Sequence, residues 1–202
     1  MTARPSPGAA PAASAGIPSA RPRRVRLFVA LDLPAAAVGA LARFRDAAAD
    51  PAVWRPLDEA RFHVTLAFLG HRPEADVAGV AEVLAALEPR DPPALALGDG
   101  LLLPPRRARV LTVALEDAAG AVSSLQSEVS GGLAAAGLYT PEARPFRPHV
   151  TVARIRPGAR APRAVDAQPD PIAFTAGDVV LYRSHVRRGG ATYEPLATRR
   201  LA

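Results

Sequence analysis

The 202-residue chain has no cysteine and no lysine, and only four histidines, one tryptophan and one methionine. Without cysteine there can be no disulfide, no thiolate metal ligand and no thiol nucleophile. With no lysine, all 25 basic side chains are arginine. Strongly apolar runs are missing as well. Residues 1–24 hold none that could form the core of a signal peptide, and no later stretch approaches the length needed to span a membrane. The expectation is a soluble, cytoplasmic protein with no membrane partner.

What is present is unevenly placed. The formal charge is +6, but residues 1–26 carry five arginines and no acid, leaving 20 arginines against 19 acids in the remainder. A nearly neutral body argues against a broad surface that tracks nucleic-acid phosphates and leaves room for a local basic pocket. Residues 1–24, rich in Pro, Ala, Gly and Ser, cannot bury enough surface to offset their ordering entropy and are expected to be a disordered tail. Residues 25–202 are expected to form a single domain.

Within that domain Val25, Leu27, Val29 and Leu31 alternate as a strand before Pro34 opens an Ala-rich helix to about Ala49. A second helix is expected over "PEADVAGVAEVLAALEP", with Val77, Val80, Leu84 and Leu87 on one face. A strand follows at "RRARVLTVALED", with Val110, Thr112 and Ala114 on one side, and then a third helix whose continuity Gly131 and Gly132 weaken. The chain closes with two strands joined by a turn over Arg187 to Gly190. Interleaved strands and helices point to an α+β protein with two sheet-containing lobes.

Two stretches share one pattern: "RFHVTLAFLG" (61–70) and "RPHVTVARIR" (147–156). Residues i and i+2 of a strand face the same way, so His63 lies beside Thr65 and His149 beside Thr151, while Val64, Leu66 and Phe68, or Val150 and Val152, are expected to pack behind them. A single histidine in an apolar strand is ordinarily a hydrogen-bonded structural residue. Threonine fills eight of the 202 positions, which makes two His-x-Thr pairs among four histidines roughly a 1% coincidence. Facing across a cleft, two imidazoles can give and take protons while two hydroxyls hold phosphate oxygens, the set that attack on a phosphoester needs. Two histidines with threonines and no nearby acid are a poor ligand set for zinc or magnesium, so no metal and no cofactor is expected. His71 and His185 lack the pattern and are expected at the surface.

The paired motifs His63-Val64-Thr65-Leu66 and His149-Val150-Thr151-Val152 resemble the H-x-[ST]-x signature of the two-histidine phosphoesterases. With "RLFVALDLP", "FRPHVTVAR" and the closing "LYRS…GGATYEPL", the likeness extends over about residues 26 to 197 and is strongest to the RNA 2′,3′-cyclic phosphodiesterases, once described as 2′-5′ RNA ligases. The resemblance implies a bilobal fold of two pseudo-symmetric antiparallel sheets with outer helices around a central cleft. It also implies metal-free hydrolysis of a terminal 2′,3′-cyclic phosphate to a 2′-phosphomonoester, with RNA or a nucleotide as partner and a monomeric enzyme. It assigns His63 as proton donor and His149 as proton acceptor, with Thr65 and Thr151 binding the phosphate. Because the motifs are nearly symmetric, the residues alone do not decide which histidine is the acid.

Arg61, Arg147 and Arg154 are close enough in sequence to steady a phosphate, or to be solvated strand-end charges. Phe146 and Tyr182 could stack on a base, or pack in the core or at its rim. Three other readings stand beside the leading one: the same chemistry on a small nucleotide, action on a 2′-5′ linkage, and a non-catalytic module that captures RNA ends. Arginine would serve binding alone, and the paired histidines weigh against that last reading.

Overall fold

The computed structural model describes residues 23–187 and 190–201. Residues 1–22 of the expected tail lie outside the described residues, as do the two central residues of the expected 187–190 turn, whereas Arg24, expected in the tail, begins the first strand. Among the described residues no helix is long and apolar enough to cross a membrane.

The elements run β1 (Arg24–Leu31), α1 (Ala35–Ala48), β2 (Trp54–Pro56), β3 (Val64–Pro73), α2 (Asp76–Ala85), β4 (Ala94–Leu103), β5 (Val110–Glu116), α3 (Ala121–Ala135), β6 (His149–Ile155), β7 (Ala173–Thr175), β8 (Val179–Arg187) and β9 (Gly190–Arg199). Extended Pro34 caps α1, which buries Ala37, Ala40, Leu41 and Phe44 at helical spacing. In α3 the buried stripe is Val122, Leu125, Val129 and Leu133. The carboxylate of Asp117 accepts from the backbone N–H groups of Val122 and Ser123 at its start. This helix continues through Gly131 and Gly132. A Cβ on Gly132 would stand 2.9 Å from Val83 Cγ1, so the missing side chain lets α3 lie close to α2.

All strand pairs are antiparallel, in the order β7-β4-β5-β6-β3-β1-β8-β9, with β2 added beside β6. The two expected lobes are the halves of this curled sheet, and they join through a single pair, Val64↔Val150, where β3 meets β6. Helices α2 and α3 cover β3, β8 and β9, whereas α1 packs toward β6. The α+β bilobal architecture is therefore built on one continuous sheet pinched at its centre.

The halves repeat each other in register. On β1 and β3 the partners are Leu31↔Val64, Ala30↔Thr65, Val29↔Ala67 and Phe28↔Phe68. On β5 and β6 they are Val113↔Val150, Thr112↔Thr151, Leu111↔Ala153 and Val110↔Arg154. In each half the residue after the motif threonine, Leu66 or Val152, is an unpaired extra. Such a bulge reverses the inward-outward alternation beyond it. Val64, Leu66, Val150 and Val152 are buried as expected, but Phe68 is 47% exposed and turned to the face of Thr65, correcting the simple period-2 expectation.

Strand β4 carries no clean alternation. Its inward Leu95 and Leu97 are followed by Gly98 and Gly100 and a register shift, which hides the strand from a pattern reading. Gly100 has a packing reason: a Cβ there would meet Phe44 Cζ at 2.6 Å.

Candidate active site

A short 3-10 turn over Glu59–Arg61, capped by the Asp58 carboxylate accepting from the Ala60 N–H at 2.9 Å, delivers the chain to the pinch. Phe62 is buried there, and His63 emerges with its Nδ1 2.8 Å from the Arg61 carbonyl oxygen. In the second half His149 Nδ1 lies 2.8 Å from the Arg147 carbonyl oxygen. A carbonyl can only accept, so each Nδ1 carries a hydrogen and each neutral imidazole presents its Nε2 lone pair elsewhere. For His63 that lone pair accepts from the Thr65 hydroxyl, with Nε2 and Oγ1 3.1 Å apart.

Both histidines and both threonines line one cleft of about 330 Å³, at the low end of small-ligand pockets. The aromatic wall behind His63 is dense: Phe28 stacks on it at 4.9 Å between centroids and Tyr193 meets it edge-on at 5.4 Å. Burial among these rings pushes the His63 pKa down to about 4, against the Arg61 carbonyl hydrogen bond; the charges of Arg154, Arg61 and His149 lower it further. At neutral pH the free protein therefore holds His63 uncharged.

Among the described residues five arginines, Arg26, Arg55, Arg61, Arg154 and Arg187, line the cleft, and no carboxylate does. Among the described residues none of the five has an acid within 4.0 Å. The Arg61 guanidinium sits 5.9 Å from the Tyr193 ring centroid and against the backbone of Gly190, where a Cβ would come within 2.7 Å of its terminal nitrogen. Its buried Nε has no hydrogen-bond partner among the described residues. The site is thus an arginine-lined pocket around two imidazoles, suited to an anion that must also exchange protons. No group of three or more His, Asp and Glu side chains converges among the described residues.

A model of the 2′-5′ RNA ligase superfamily matches residues 31–188, most of the chain and both motifs. The chain belongs to this superfamily. Its similarity reaches an RNA 2′,3′-cyclic phosphodiesterase of Aeropyrum pernix, 37% identical over 124 residues that cover 61% of this chain and 69% of that protein. A protein of the same name from Escherichia coli is 30% identical over 174 residues, 85% of this chain and 93% of the relative. The crystal structure of E. coli LigT complexed with 3′-AMP aligns with a TM-score of 0.76 at 25% identity, covering 89% of this chain and 99% of that one. The superfamily's bilobal fold is therefore the fold of this chain.

Of the residues singled out in the sequence, His63, Thr65, His149, Thr151, Arg61 and Arg154 meet in the cleft. The other three do not. The Arg147 side chain is exposed away from the pocket, and only its carbonyl reaches His149. Phe146 packs against the core. Tyr182 stands one layer behind, stacked on Phe28 at 5.3 Å with its hydroxyl donating to the Asp32 carboxylate at 2.9 Å. Burial raises the Asp32 pKa, the Tyr182 hydroxyl hydrogen bond partly offsets that rise, and the nearby Asp178 charge adds to it.

Sequence reasoning missed Arg26, Phe28, Arg55, Phe68 and Tyr193. The first two had a readable signal, since they alternate with the inward Leu27 and Val29 on the other face of β1. Phe68 was hidden by the bulge, and Tyr193 reaches the site only because β9 closes the sheet edge beside β8.

Proposed function

We propose that this protein hydrolyses the 2′,3′-cyclic phosphate of RNA or oligonucleotide ends to a 2′-phosphomonoester, using paired histidines and no metal. One observation carries the reading: two imidazoles, each with Nδ1 tied to a carbonyl, share an arginine-lined cleft that contains no carboxylate. The names of the relatives, RNA 2′,3′-cyclic phosphodiesterase, support the choice of substrate.

In this reaction a water oxygen attacks phosphorus, the P–O3′ bond breaks, and the 2′ ester survives. His149 takes the proton from water and His63 gives one to the departing O3′, which leaves as a hydroxyl. Thr65, Thr151 and Arg61 hold the non-bridging oxygens as charge builds on them. His63 acquires its proton only when the substrate is bound. An anionic phosphate about 4 Å from the ring contributes about 4 kcal/mol at an effective dielectric of 20, roughly three pKa units, which offsets what burial removed. The enzyme is taken to act as a cytoplasmic monomer on the domain from residue 25 onward.

The test is product identity under chelation. Adenosine 2′,3′-cyclic phosphate incubated with the full chain in EDTA should yield adenosine 2′-phosphate by phosphorus NMR. A 3′-phosphate product, or turnover restored only by a divalent ion, would sink the proposal.

A further inference from the structure

The two motifs are near copies, yet only one of their histidines is backed by rings. Phe28 lies over the face of His63 at 4.9 Å between centroids and 30° between planes, and Tyr182 continues the stack behind Phe28 at 5.3 Å and 22°. The register repeat identifies the matching positions in the other half. Phe28 beside Phe68 corresponds to Val110 beside Arg154, and Tyr182, the neighbour of Phe28 on β8, corresponds to Leu103, the neighbour of Val110 on β4. Among the described residues no aromatic ring stacks on His149.

The stack ends on a carboxylate without a cation. Asp32 follows β1, is half-buried, and among the described residues has no arginine within 4.0 Å. Its two oxygens share the Tyr182 hydroxyl hydrogen at 2.9 and 3.1 Å. The backbone beneath is pinned, because the Asp32 N–H donates to the Asp178 carbonyl at 3.0 Å and the Gly177 N–H donates to the Asp32 carbonyl at 2.8 Å. Burial and the Asp32 charge raise the Tyr182 pKa, so the hydroxyl remains the donor. Neither Asp32 nor Tyr182 lines the cleft.

The two hydrogen bonds of His63, from Nδ1 to the Arg61 carbonyl and from the Thr65 hydroxyl to Nε2, both act at the edge of the ring. They fix where the nitrogens point and leave the ring able to tilt about the line between its partners. Contact on the ring face removes that tilt. Once Thr65 turns its hydroxyl to a phosphate oxygen, one of the two edge bonds is gone and the face contact carries more of the orientation.

We propose that Asp32 and Tyr182 are positioning residues for His63: the carboxylate fixes the Tyr182 ring, Tyr182 fixes Phe28, and Phe28 holds the imidazole at the angle that delivers its Nε2 proton to the departing O3′. The proposal rests on the reading above that His63 is the acid. It accounts for support behind one histidine alone. A water molecule can shift to meet His149, whereas O3′ is held by the ribose and cannot move toward a tilted donor.

The test uses Y182F, which removes the hydroxyl and keeps the ring, and D32N, which keeps an acceptor and removes the charge. With adenosine 2′,3′-cyclic phosphate, Y182F should lower kcat about 5- to 50-fold, the order expected for a displacement below 1 Å. KM should stay within about twofold, because no phosphate contact is touched. D32N should act more weakly in the same direction, and D32N/Y182F should be no worse than Y182F, since both changes remove one shared interaction. A second readout needs no turnover: in proton NMR of the free protein the facing Phe28 ring displaces the His63 ring signals, and Y182F should move them while the His149 signals stay in place. Folded Y182F with wild-type kcat, or with its loss confined to KM, overturns the proposal. So does a His63 signal that stays put, or one that moves no more than the His149 signal, which marks a general loosening of the fold. Wild-type protein that hydrolyses no cyclic phosphate refutes the hydrolase reading, and the selective displacement of the His63 signals then still decides whether the stack positions that ring. Should Y182F lose its fold by circular dichroism, D32N supplies both readouts.

Discussion

In the proposed mechanism His63 concentrates the chemistry in one ring. Its Nδ1 is fixed by the Arg61 carbonyl, and its Nε2 is left as a lone pair in a cleft of positive charge, with a pKa of about 4. Protonation is disfavoured by the aromatic wall first and by Arg154, Arg61 and His149 next, so the ring should stay neutral from high pH down to about 4 in the free protein. Bound adenosine 2′-phosphate should raise that midpoint by about three units. Nitrogen-15 NMR of the imidazoles reads both values, and a free-state midpoint near 6.5 would contradict the burial argument. Replacing His63 or His149 with alanine should each cost about 10²–10⁴-fold in kcat. Thr65→Val or Thr151→Val should cost about 10–10²-fold. His71→Ala and His185→Ala serve as controls. His71 is exposed on β3 and His185 pairs with Glu194 at 2.6 Å, both outside the cleft. A folded single histidine variant that keeps more than about a tenth of wild-type turnover would overturn the two-histidine mechanism.

The motif histidines and threonines were legible because the strand period puts i and i+2 on one face, a relation between near neighbours. The same period failed three residues further on. Each bulge depends on how β3 or β6 pairs with its partner, and it decides that Phe68 and Arg154 join the site. Strand β4 escaped a pattern reading for a related reason: one of its glycines, Gly100, serves the helix across from it. At Gly100 the absent Cβ makes room for Phe44 of α1, so Gly100→Ala should destabilise the fold by about 1–3 kcal/mol through overpacking. A lowered Tm in calorimetry is the expected reading, and an unchanged one would show that Phe44 moves aside freely. By contrast α3 needed no correction beyond its continuity. Its apolar stripe outweighs the poor helix propensity of Gly131 and Gly132, and Gly132 contributes the close approach to Val83.

Residues 1–22 carry two arginines, Arg4 and Arg21, and no acid. Residues 1–22 lie upstream of every element that builds the cleft. Removing them should leave turnover of adenosine 2′,3′-cyclic phosphate within about twofold and weaken binding of long RNA at low salt, where unscreened arginines count most. A large loss on the mononucleotide would mean that the segment reaches the site. The net charge of the remainder, 20 arginines against 19 acids after residue 26, gives little hint of a cationic pocket. Folding creates one by pairing eight of the 19 acids with arginines elsewhere and gathering around the pinch five arginines that have no acid partner among the described residues. The sequence by itself determined the α+β class, the four motif side chains and the family they resemble, since periodicity and short spacing are local properties of a chain. Only the tertiary structure decided that the lobes share one sheet, that Tyr193 and Phe28 desolvate His63, and that Phe68 and Arg154 stand at opposite ends of the cleft. Those facts depend on strand register and closure between residues far apart in the chain, and no local pattern encodes them.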